Sequence, residues 1–393
     1  MKAVTWHGKR DVRVEDVPDP TISEPTDIVV RITSTAICGS DLHLYEVLTM
    51  WMTPGDILGH EPMGVVEAVG AEVRHVSIGD RVVIPFNISC GHCYFCEQQL
   101  YSQCETTQVR EYDKGAALFG YTKLYGQVPG GQAEYLRVPM GHFGPIKVPE
   151  GPPDERFLFL SDILPTAWQA VDYAAVPPGG SIAILGLGPV GQFCARIARQ
   201  RGIETVLAFD PVLERRQLAE RFGAQTFDPT EVDPAQVVRE HTNGRGADGV
   251  VDAVGMEAHG SGMLQFAQEA AGLLPKKVAQ QMTLKMGVDR LSALTTSIDC
   301  VRRGGTVSVS GVYGGMADPM PMMDLFDKQV QLRMGQCNVK RWVPEILPLL
   351  TGDDDPLGTE HLTSQVLPLA EAPHGYEIFQ KKVDDCIKVV LQP

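Results

Sequence analysis

The chain has 393 residues, 44% hydrophobic and 21% charged, a composition typical of a soluble globular protein with two or three domains. Its formal net charge is −15 and it has no Lys/Arg-rich run, which argues against nucleic acid or an anionic membrane as partner. No apolar run is long enough to span a bilayer, and the N-terminal stretch lacks the apolar core of a signal peptide. We therefore expect a cytoplasmic protein.

The first 150 residues predict a β-rich domain. Short runs such as "KAVTW", "DVRVEDV", "DIVVRITSTAI", "MGVVEAVG", "DRVVIPF" and "QAEYLRVP" are separated by Gly and Pro turns. Regularly spaced short strands of this kind favour a barrel-like arrangement over a sandwich.

Four residues with metal-binding side chains lie in or just after this domain: Cys38 in "AICGSDLH", His60 and Glu61 in "GHEPMGVVEAVG", and Asp162 in "LSDILPTAW". Cys, His and a carboxylate suit a catalytic zinc, which keeps three protein ligands and one open position. Each residue also has an ordinary alternative. Cys38 could be a core cysteine, His60 a hydrogen-bonded loop histidine, and Asp162 (or Ser161) the N-cap of the next helix.

Four cysteines form a C-x2-C-x2-C-x7-C cluster: Cys90, Cys93, Cys96 and Cys104. Four thiolates fill the tetrahedral shell of a structural zinc. A disulfide cluster is disfavoured because disulfides are rare in the cytosol. A redox pair needs only two cysteines, and the wide gap before Cys104 fits an iron–sulfur cluster poorly. His92 could replace a thiolate, but the four cysteines already close the shell.

Near residue 160 the pattern changes to alternating helices and strands. "DILPTAWQAVDYAA" has helical spacing, "SIAILG" and "TVLAFD" are buried-strand runs, and helix-like segments follow each of them. "GVVDAVG" and "TVSVSG" are further strands. The alternation predicts a doubly wound parallel sheet of the Rossmann type.

A G-x-G-x-x-G motif follows the first buried strand and opens a helix. In "GLGPVG" the motif comprises Gly186, Gly188, Pro189, Val190 and Gly191. Its glycines allow a tight turn and bring backbone N–H groups close to a pyrophosphate at the helix N-terminus. The sequence therefore predicts dinucleotide binding here.

Asp210 ends the next strand, 19 residues beyond Gly191, where a carboxylate can bind the adenosine ribose. Because the carboxylate repels the extra phosphate of NADP, we predict NAD as the cofactor. Arg215 and Arg216 follow within one turn, so NADP is disfavoured rather than excluded. An ordinary strand-end turn is the alternative for Asp210.

Taken in this order, "AICGSDLH", "GHEPMGVVEAVG", the four-cysteine loop and "GLGPVG" resemble the zinc-dependent medium-chain alcohol dehydrogenase family over nearly the whole chain. The resemblance implies a GroES-like catalytic domain at 1–160, a Rossmann NAD-binding domain at 161–330, and a segment at 331–393 that returns to the catalytic domain. It also implies a homo-oligomer, either a dimer or a tetramer.

The resemblance further assigns individual roles. Cys38, His60 and Asp162 would hold catalytic zinc, and the four-cysteine loop would hold structural zinc. Ser40 and His43 would form a proton relay, and Glu61 would lie close behind the catalytic metal. Phe86 falls where a pocket wall is common, Arg215 falls beside the cofactor, and Val312 in "SGVYGG" would shape the nicotinamide side.

Two features are similar to the glutathione-independent formaldehyde dehydrogenase and dismutase branch of this family. Aspartate stands where many members have a cysteine ligand, and the segment between Gly255 and Gly304 is long. The region after Gly315 is shorter than in that branch, so formaldehyde is not implied as the substrate. The predicted function is hydride transfer between an alcohol or aldehyde and NAD. A formaldehyde dismutase with tightly bound NAD, a polyol dehydrogenase and a non-catalytic protein on a dehydrogenase fold are the alternatives.

Overall fold

A computed structural model of the chain describes residues 1–255, 291–313 and 320–393. These residues form two compact units: Met1–Thr166 together with Cys337–Pro393, and Ala167–Gln336. The long segment that the sequence analysis singled out lies largely outside the described residues.

The first unit is rich in β-structure, as the short alternating runs predict. Its strands are β1 (Lys2–Gly8), β2 (Asp11–Asp16), β3 (Ile28–Ile37), β4 (Asp56–Ile57), β5 (Glu61–Val69), β6 (Arg81–Val83), β7 (Tyr135–Val138) and β8 (Ile146–Lys147). Two strands of the C-terminal segment join this unit, and by chain order they are β15 (Gln365–Pro368) and β16 (Val389–Gln392).

These strands form a three-stranded sheet, β2-β1-β4, and a seven-stranded sheet with the order β15-β16-β3-β5-β6-β8, in which β7 also pairs with β3. The long strand β3 is central, because β5, β7 and β16 all pair with it in antiparallel register. Its buried side chains, with those of β5 and β6, form an apolar core with members Ile28, Val30, Ile32, Val66, Val82 and Phe119.

The α-helices of the first unit are short at the N-terminal end and longer toward the C-terminus. They are Gly39–Glu46, Tyr94–Glu97, Asp154–Phe157, the beginning of Ile163–Ala174, Val339–Leu350 and Ala372–Lys381. Among the described residues no helix is both long and apolar enough to cross a bilayer.

The second unit has a six-stranded parallel sheet. Its strands are β9 (Ser181–Leu185), β10 (Thr205–Phe209), β11 (Gln225–Phe227), β12 (Ala247–Asp252), β13 (Val301–Val309) and β14 (Gln331–Met334). The order β11-β10-β9-β12-β13-β14 reverses direction between β9 and β12. That reversal is the point at which doubly wound sheets bind dinucleotides. The helices of this unit are Pro189–Gln200, Leu213–Glu220, Pro234–His241, Ser292–Cys300 and Met322–Lys328.

The predicted fold class, a barrel-like β unit combined with a Rossmann-type parallel sheet, is confirmed. Several elements of the second unit were not predicted. Strands β11 and β14 have only three half-buried positions between them and no buried one, so neither has the continuous apolar run of a central strand.

Candidate metal centres and cofactor site

The first candidate metal centre lies at one end of the antiparallel pair β3–β5. Cys38 follows β3 directly, while His60 precedes and Glu61 begins β5. Because Ala36 pairs with Glu61, the end of β3 lies beside the start of β5. Strand pairing therefore brings together two side chains that are far apart in the sequence.

Asp162 reaches this cluster from the turn before the helix Ile163–Ala174. Its Oδ2 atom lies 3.2 Å from His60 Nε2 and 3.6 Å from Cys38 Sγ. Ligand atoms of Cys38, His60, Glu61 and Asp162 all lie within 4.8 Å of one another. A tetrahedral zinc with bonds of 2.0–2.3 Å places its ligand atoms about 3.3–3.8 Å apart, so the two separations measured among Cys38, His60 and Asp162 suit such an ion.

The electrostatics of the cluster also fit a cation. Both ring nitrogens of His60 and both carboxylate oxygens of Glu61 are buried without a well-aligned hydrogen-bond partner. Burial raises the pKa of the Cys38 thiol to about 12 in the absence of an ion. Burial also raises the pKa of Glu61. A divalent ion would displace the proton of Cys38 and bind His60 through Nε2.

His60 is oriented by Asp41, a residue that the sequence analysis did not select. Asp41 Oδ1 lies 3.1 Å from His60 Nδ1, which leaves Nε2 facing the cluster. Asp41 Oδ2 accepts hydrogen bonds from the Cys38 backbone N–H and from Gln132 Nε2, and Gln132 Oε1 accepts one from the buried Tyr376 hydroxyl. A carboxylate that fixes a ligating imidazole is a common support of a metal site.

Behind the cluster lies a fully buried ion pair that sequence analysis also missed. Lys388 precedes β16, and because Val389 pairs with Ile37 its side chain reaches the same end of β3. Lys388 Nζ lies 2.5 Å from Glu61 Oε2, and neither side chain is exposed. The sequence does not mark Lys388, because the unusual feature of this lysine is its burial, and burial is a property of the folded chain.

The predicted proton-relay residues lie on the helix that follows Cys38. Ser40 and His43 are three positions apart on Gly39–Glu46, both half-buried, so they share one helix face. Ser40 Oγ lies 3.9 Å from Cys38 Sγ. The ring of Phe86 meets that of His60 edge-on at 6.4 Å, which suits the predicted wall position.

The second candidate metal centre is the four-cysteine loop. The sulfur atoms of Cys90 and Cys96 lie 4.0 Å apart, and those of Cys93 and Cys104 lie 3.8 Å apart. A tetrahedral site with Zn–S bonds near 2.3 Å has sulfur–sulfur edges of about 3.8 Å. All nine cysteines of the chain are free thiols, so none of them forms a disulfide bond in this structure.

His92 is not part of the sulfur cluster. Its Nδ1 atom lies 2.9 Å from the backbone carbonyl of Cys90, and His142 Nε2 lies 3.1 Å from the same oxygen. The backbone N–H groups of Cys96 and Glu105 help to lower the pKa of Cys93 to about 6, although burial opposes the shift. Burial raises the pKa of Cys96, so before any metal binds the loop favours a thiolate at Cys93 and a protonated thiol at Cys96.

The dinucleotide motif has a geometry that only glycine permits. Gly186 has φ +86°, and a Cβ atom on Gly191 would lie 1.9 Å from the Gly186 carbonyl oxygen. Pro189 and Val190 begin the helix Pro189–Gln200, which Gly188 precedes as N-cap. The helix N-terminus and the bare backbone form a cradle for a pyrophosphate.

Asp210 lies directly after β10 and is 3% exposed. Its carboxylate accepts hydrogen bonds from the backbone N–H groups of Leu187 and Val212, both at 2.8 Å. Arg215 Nη1 lies 3.7 Å from Asp210 Oδ2 and close to Gly188. The acidic side chain is therefore joined to the glycine loop itself.

Val312 is half exposed beside the loop that follows β12. A Cβ atom on Gly255 would lie 2.6 Å from the Val312 backbone nitrogen, so the two loops touch. The next residue, Tyr313, donates its hydroxyl to the buried Asp252 at 2.5 Å. This contact anchors the loop, and it was not predicted.

The comparisons with known proteins agree with this architecture. The family model described as the alcohol dehydrogenase GroES-like domain matches residues 24–150, and the one described as zinc-binding dehydrogenase matches residues 189–272. An uncharacterized zinc-type alcohol dehydrogenase-like protein of Bacillus subtilis is 44% identical, with 100% of both chains covered.

Two further relatives bear on the chemistry. A formaldehyde dismutase of Pseudomonas putida is 33% identical over 97% of this chain and 95% of its own length. The solved structure of alcohol dehydrogenase TADH from Thermus sp. ATN1 is 34% identical, with a TM-score of 0.81 and coverage of 100% of this chain and 99% of that one.

The chain therefore belongs to the zinc-binding alcohol dehydrogenase family, as the sequence motifs predicted. It is an enzyme, an NAD-linked oxidoreductase that acts on a small molecule. Its cofactors are zinc and NAD, and the two clusters and the glycine cradle fit them.

Proposed function

We propose that the enzyme interconverts a small alcohol and its carbonyl product, with NAD as hydride acceptor, at a zinc ion held by Cys38, His60 and Asp162. The observation that carries this proposal is that one sulfur, one imidazole nitrogen and one carboxylate oxygen converge within 4.8 Å, with the oxygen 3.2 Å from the nitrogen and 3.6 Å from the sulfur. Three such ligands leave a fourth position for a substrate oxygen, which is the pattern of catalytic rather than structural zinc.

When bound, zinc supplies a Lewis acid for the substrate oxygen, and NAD supplies the hydride acceptor. The protein's own residues handle the proton. Ser40 accepts the hydroxyl proton of the alcohol, and His43, one turn further along the same helix, passes it toward solvent. Asp41 holds the His60 ring in place, and Phe86 packs against that ring.

The cysteine loop has a different role in this proposal. Cys90, Cys93, Cys96 and Cys104 hold a structural zinc with no open position, so no chemistry takes place there. The site stabilises a loop whose apolar cluster, in the described part of the chain, consists of Ala116 and three of the cysteines themselves. We also propose a cytoplasmic location, because a reducing compartment suits nine free thiols.

The proposal is tested by screening NADH release over short, branched and aromatic alcohols and formaldehyde, with zinc counted per chain. We expect turnover of at least one alcohol and two zinc ions per chain. Cys38→Ser should lose one zinc and nearly all turnover, while Cys386→Ser, at a buried thiol outside both clusters, should retain both. One zinc per chain in the unmodified enzyme would contradict the assignment.

A second candidate is a formaldehyde dismutase or dehydrogenase with tightly bound NAD. The similarity to a formaldehyde dismutase over nearly the whole chain and the aspartate at position 162 support it. Mass spectrometry and absorbance of the purified enzyme distinguish the two, since a retained NAD and formaldehyde turnover without added NAD favour the dismutase.

A further inference from the structure

The two carboxylate oxygens of Asp162 have different surroundings. Oδ2 faces the candidate metal ligands, at 3.2 Å from His60 Nε2 and 3.6 Å from Cys38 Sγ. Oδ1 instead accepts a hydrogen bond of 2.8 Å from the hydroxyl of Thr166. One oxygen is thus presented to the metal centre while the other is held by the protein.

This difference matters because a carboxylate is not equivalent to a thiolate. A cysteine offers one donor atom, whereas an aspartate can bind a metal through one oxygen or through both. If Asp162 bound zinc through both oxygens, the second would occupy or crowd the open position that the substrate needs. An aspartate ligand in a catalytic site therefore requires a group that holds its second oxygen.

The helix backbone holds Thr166 where its hydroxyl can donate to Asp162 Oδ1. Asp162 and Thr166 are one helical turn apart, and the Thr166 backbone N–H donates to the Asp162 carbonyl at 2.9 Å. The buried thiol of Cys337 lies close to the Thr166 side chain. Cys337 is itself anchored, since Asn87 Nδ2 donates to its carbonyl oxygen at 2.8 Å.

We propose that Thr166 is a positioning residue of the catalytic centre, whose hydroxyl keeps Asp162 a one-oxygen ligand and so keeps the fourth coordination position open. This inference rests on the zinc assignment proposed above. Thr166 does not touch the substrate. It acts through Asp162, and its role exists only because the third ligand is a carboxylate.

The test uses enzyme with Co²⁺ in place of catalytic zinc, because the visible absorption of Co²⁺ weakens when a fifth ligand joins a tetrahedral site. Thr166→Val removes the hydroxyl with little change in shape, and Thr166→Ser retains it. We expect weaker absorption in the Val variant, with KM raised more than kcat is lowered. A supporting residue of this kind typically contributes 10–100-fold in metal affinity or activity. The Ser variant should resemble the unmodified enzyme.

A second background separates a metal-directed role from a merely structural one. In Asp162→Cys enzyme the third ligand has one donor atom, so adding Thr166→Val should leave the Co²⁺ spectrum unchanged. An equal effect of Thr166→Val in both backgrounds, or no effect in either, would overturn the proposal. If Thr166→Val does not fold, Thr166→Ala provides the same comparison, with metal content of the four-cysteine site as the folding control. Absence of any metal at the Cys38–His60–Asp162 cluster in the unmodified enzyme would instead refute the proposed function.

Discussion

At the scale of single residues, negative charge dominates the interior around the candidate catalytic centre. Asp41, Glu61 and Asp162 are all buried there, and Cys38 joins them as a thiolate once a metal binds. Lys388 lies at 2.5 Å from Glu61 and is fully buried, so its charge offsets one of the four. Replacing one partner of such a pair leaves the other charge uncompensated, which costs more than the pair itself contributes.

We therefore predict that Lys388→Met destabilises the metal-free enzyme by about 3–5 kcal/mol, because Glu61 is left buried without its partner. The double variant Lys388→Met, Glu61→Gln should recover most of this loss. Denaturant unfolding of both variants measures the effect. With zinc bound the loss should be smaller, since the cation compensates Glu61 in part. A metal-free Lys388→Met enzyme as stable as the original would contradict the role of this pair.

A second prediction at this scale concerns cofactor choice. Asp210→Asn removes the negative charge beside the glycine loop and weakens the hold on Arg215, whose Nε atom is buried without a partner among the described residues. We expect weaker NAD binding and a rise of roughly tenfold in the NADP-to-NAD ratio of kcat/KM, the size of one lost charge interaction of about 1.4 kcal/mol. Asp248→Asn, which breaks the pair with Arg302 near the start of β12, is the control and should leave the ratio unchanged.

At the scale of elements, the cofactor cradle depends on how closely a helix approaches a strand. The helix Pro189–Gln200 begins against the turn after β9, and Gly191 is the point of contact. The parallel pairing of β9 with both β10 and β12 fixes the turn from either side. A side chain at Gly191 cannot be accommodated without moving the helix, because its nearest neighbour is backbone rather than a flexible side chain.

Gly191→Ala should accordingly lower stability and weaken NAD binding at least tenfold, since the displaced helix no longer aims its first N–H groups at the pyrophosphate. Gly352→Ala, where nothing lies within 4 Å of the added Cβ, is the matched control. NAD titration by fluorescence, together with thermal unfolding, measures both variants. NAD affinity equal in the two variants would show that the close approach is not required.

At the scale of the whole molecule, the C-terminal segment completes the first unit. Strand β16 pairs with β3, and the residues just before the helix Val339–Leu350 are tied to the four-cysteine loop. Asn338 Oδ1 accepts hydrogen bonds from the backbone and the hydroxyl of Ser102, both at 3.0 Å. Cys337, next to Asn338, contacts Thr166. The four-cysteine loop and Asp162 are therefore supported by the same short stretch of chain.

An exposed edge of the six-stranded sheet is the candidate interface of the predicted homo-oligomer. Strand β14 is the last strand of the six-stranded sheet among the described residues, and the helix Met322–Lys328 beside it exposes Met322, Met323 and Phe326. An edge strand with adjacent apolar side chains is suited to pairing with a second copy about a two-fold axis.

We predict that Met323→Glu with Phe326→Glu shifts the enzyme toward monomer in analytical ultracentrifugation. Ile78→Glu, at an exposed apolar site of the other unit, should not. A monomeric unmodified enzyme would contradict the prediction.

Much of the candidate site could be predicted because its chemistry is carried by rare residue types at characteristic spacing. The four cysteines predicted a closed zinc site from spacing alone, and "GLGPVG" after an apolar strand predicted the dinucleotide turn. The cluster of Cys38, His60 and Asp162 needed the family resemblance, since each residue alone had an ordinary alternative. The structure brings the three side chains together, and Asp162 directs its carboxylate to the cluster.

By itself the sequence determined the class of fold and predicted the glycine turn and the four-cysteine site, because these depend on local spacing and on hydrophobic periodicity. The tertiary structure alone decided which residues support them. Lys388 meets Glu61 only because β16 and β5 both flank β3, and Asp41 meets His60 only because β3 and β5 pair in one register. Thr166 is different from Lys388 and Asp41, because it lies only one helical turn from its partner Asp162. Which oxygen of Asp162 accepts its hydrogen bond nevertheless depends on where Cys38 and His60 lie. Contacts between distant segments are set by strand register and packing, and no local pattern records them.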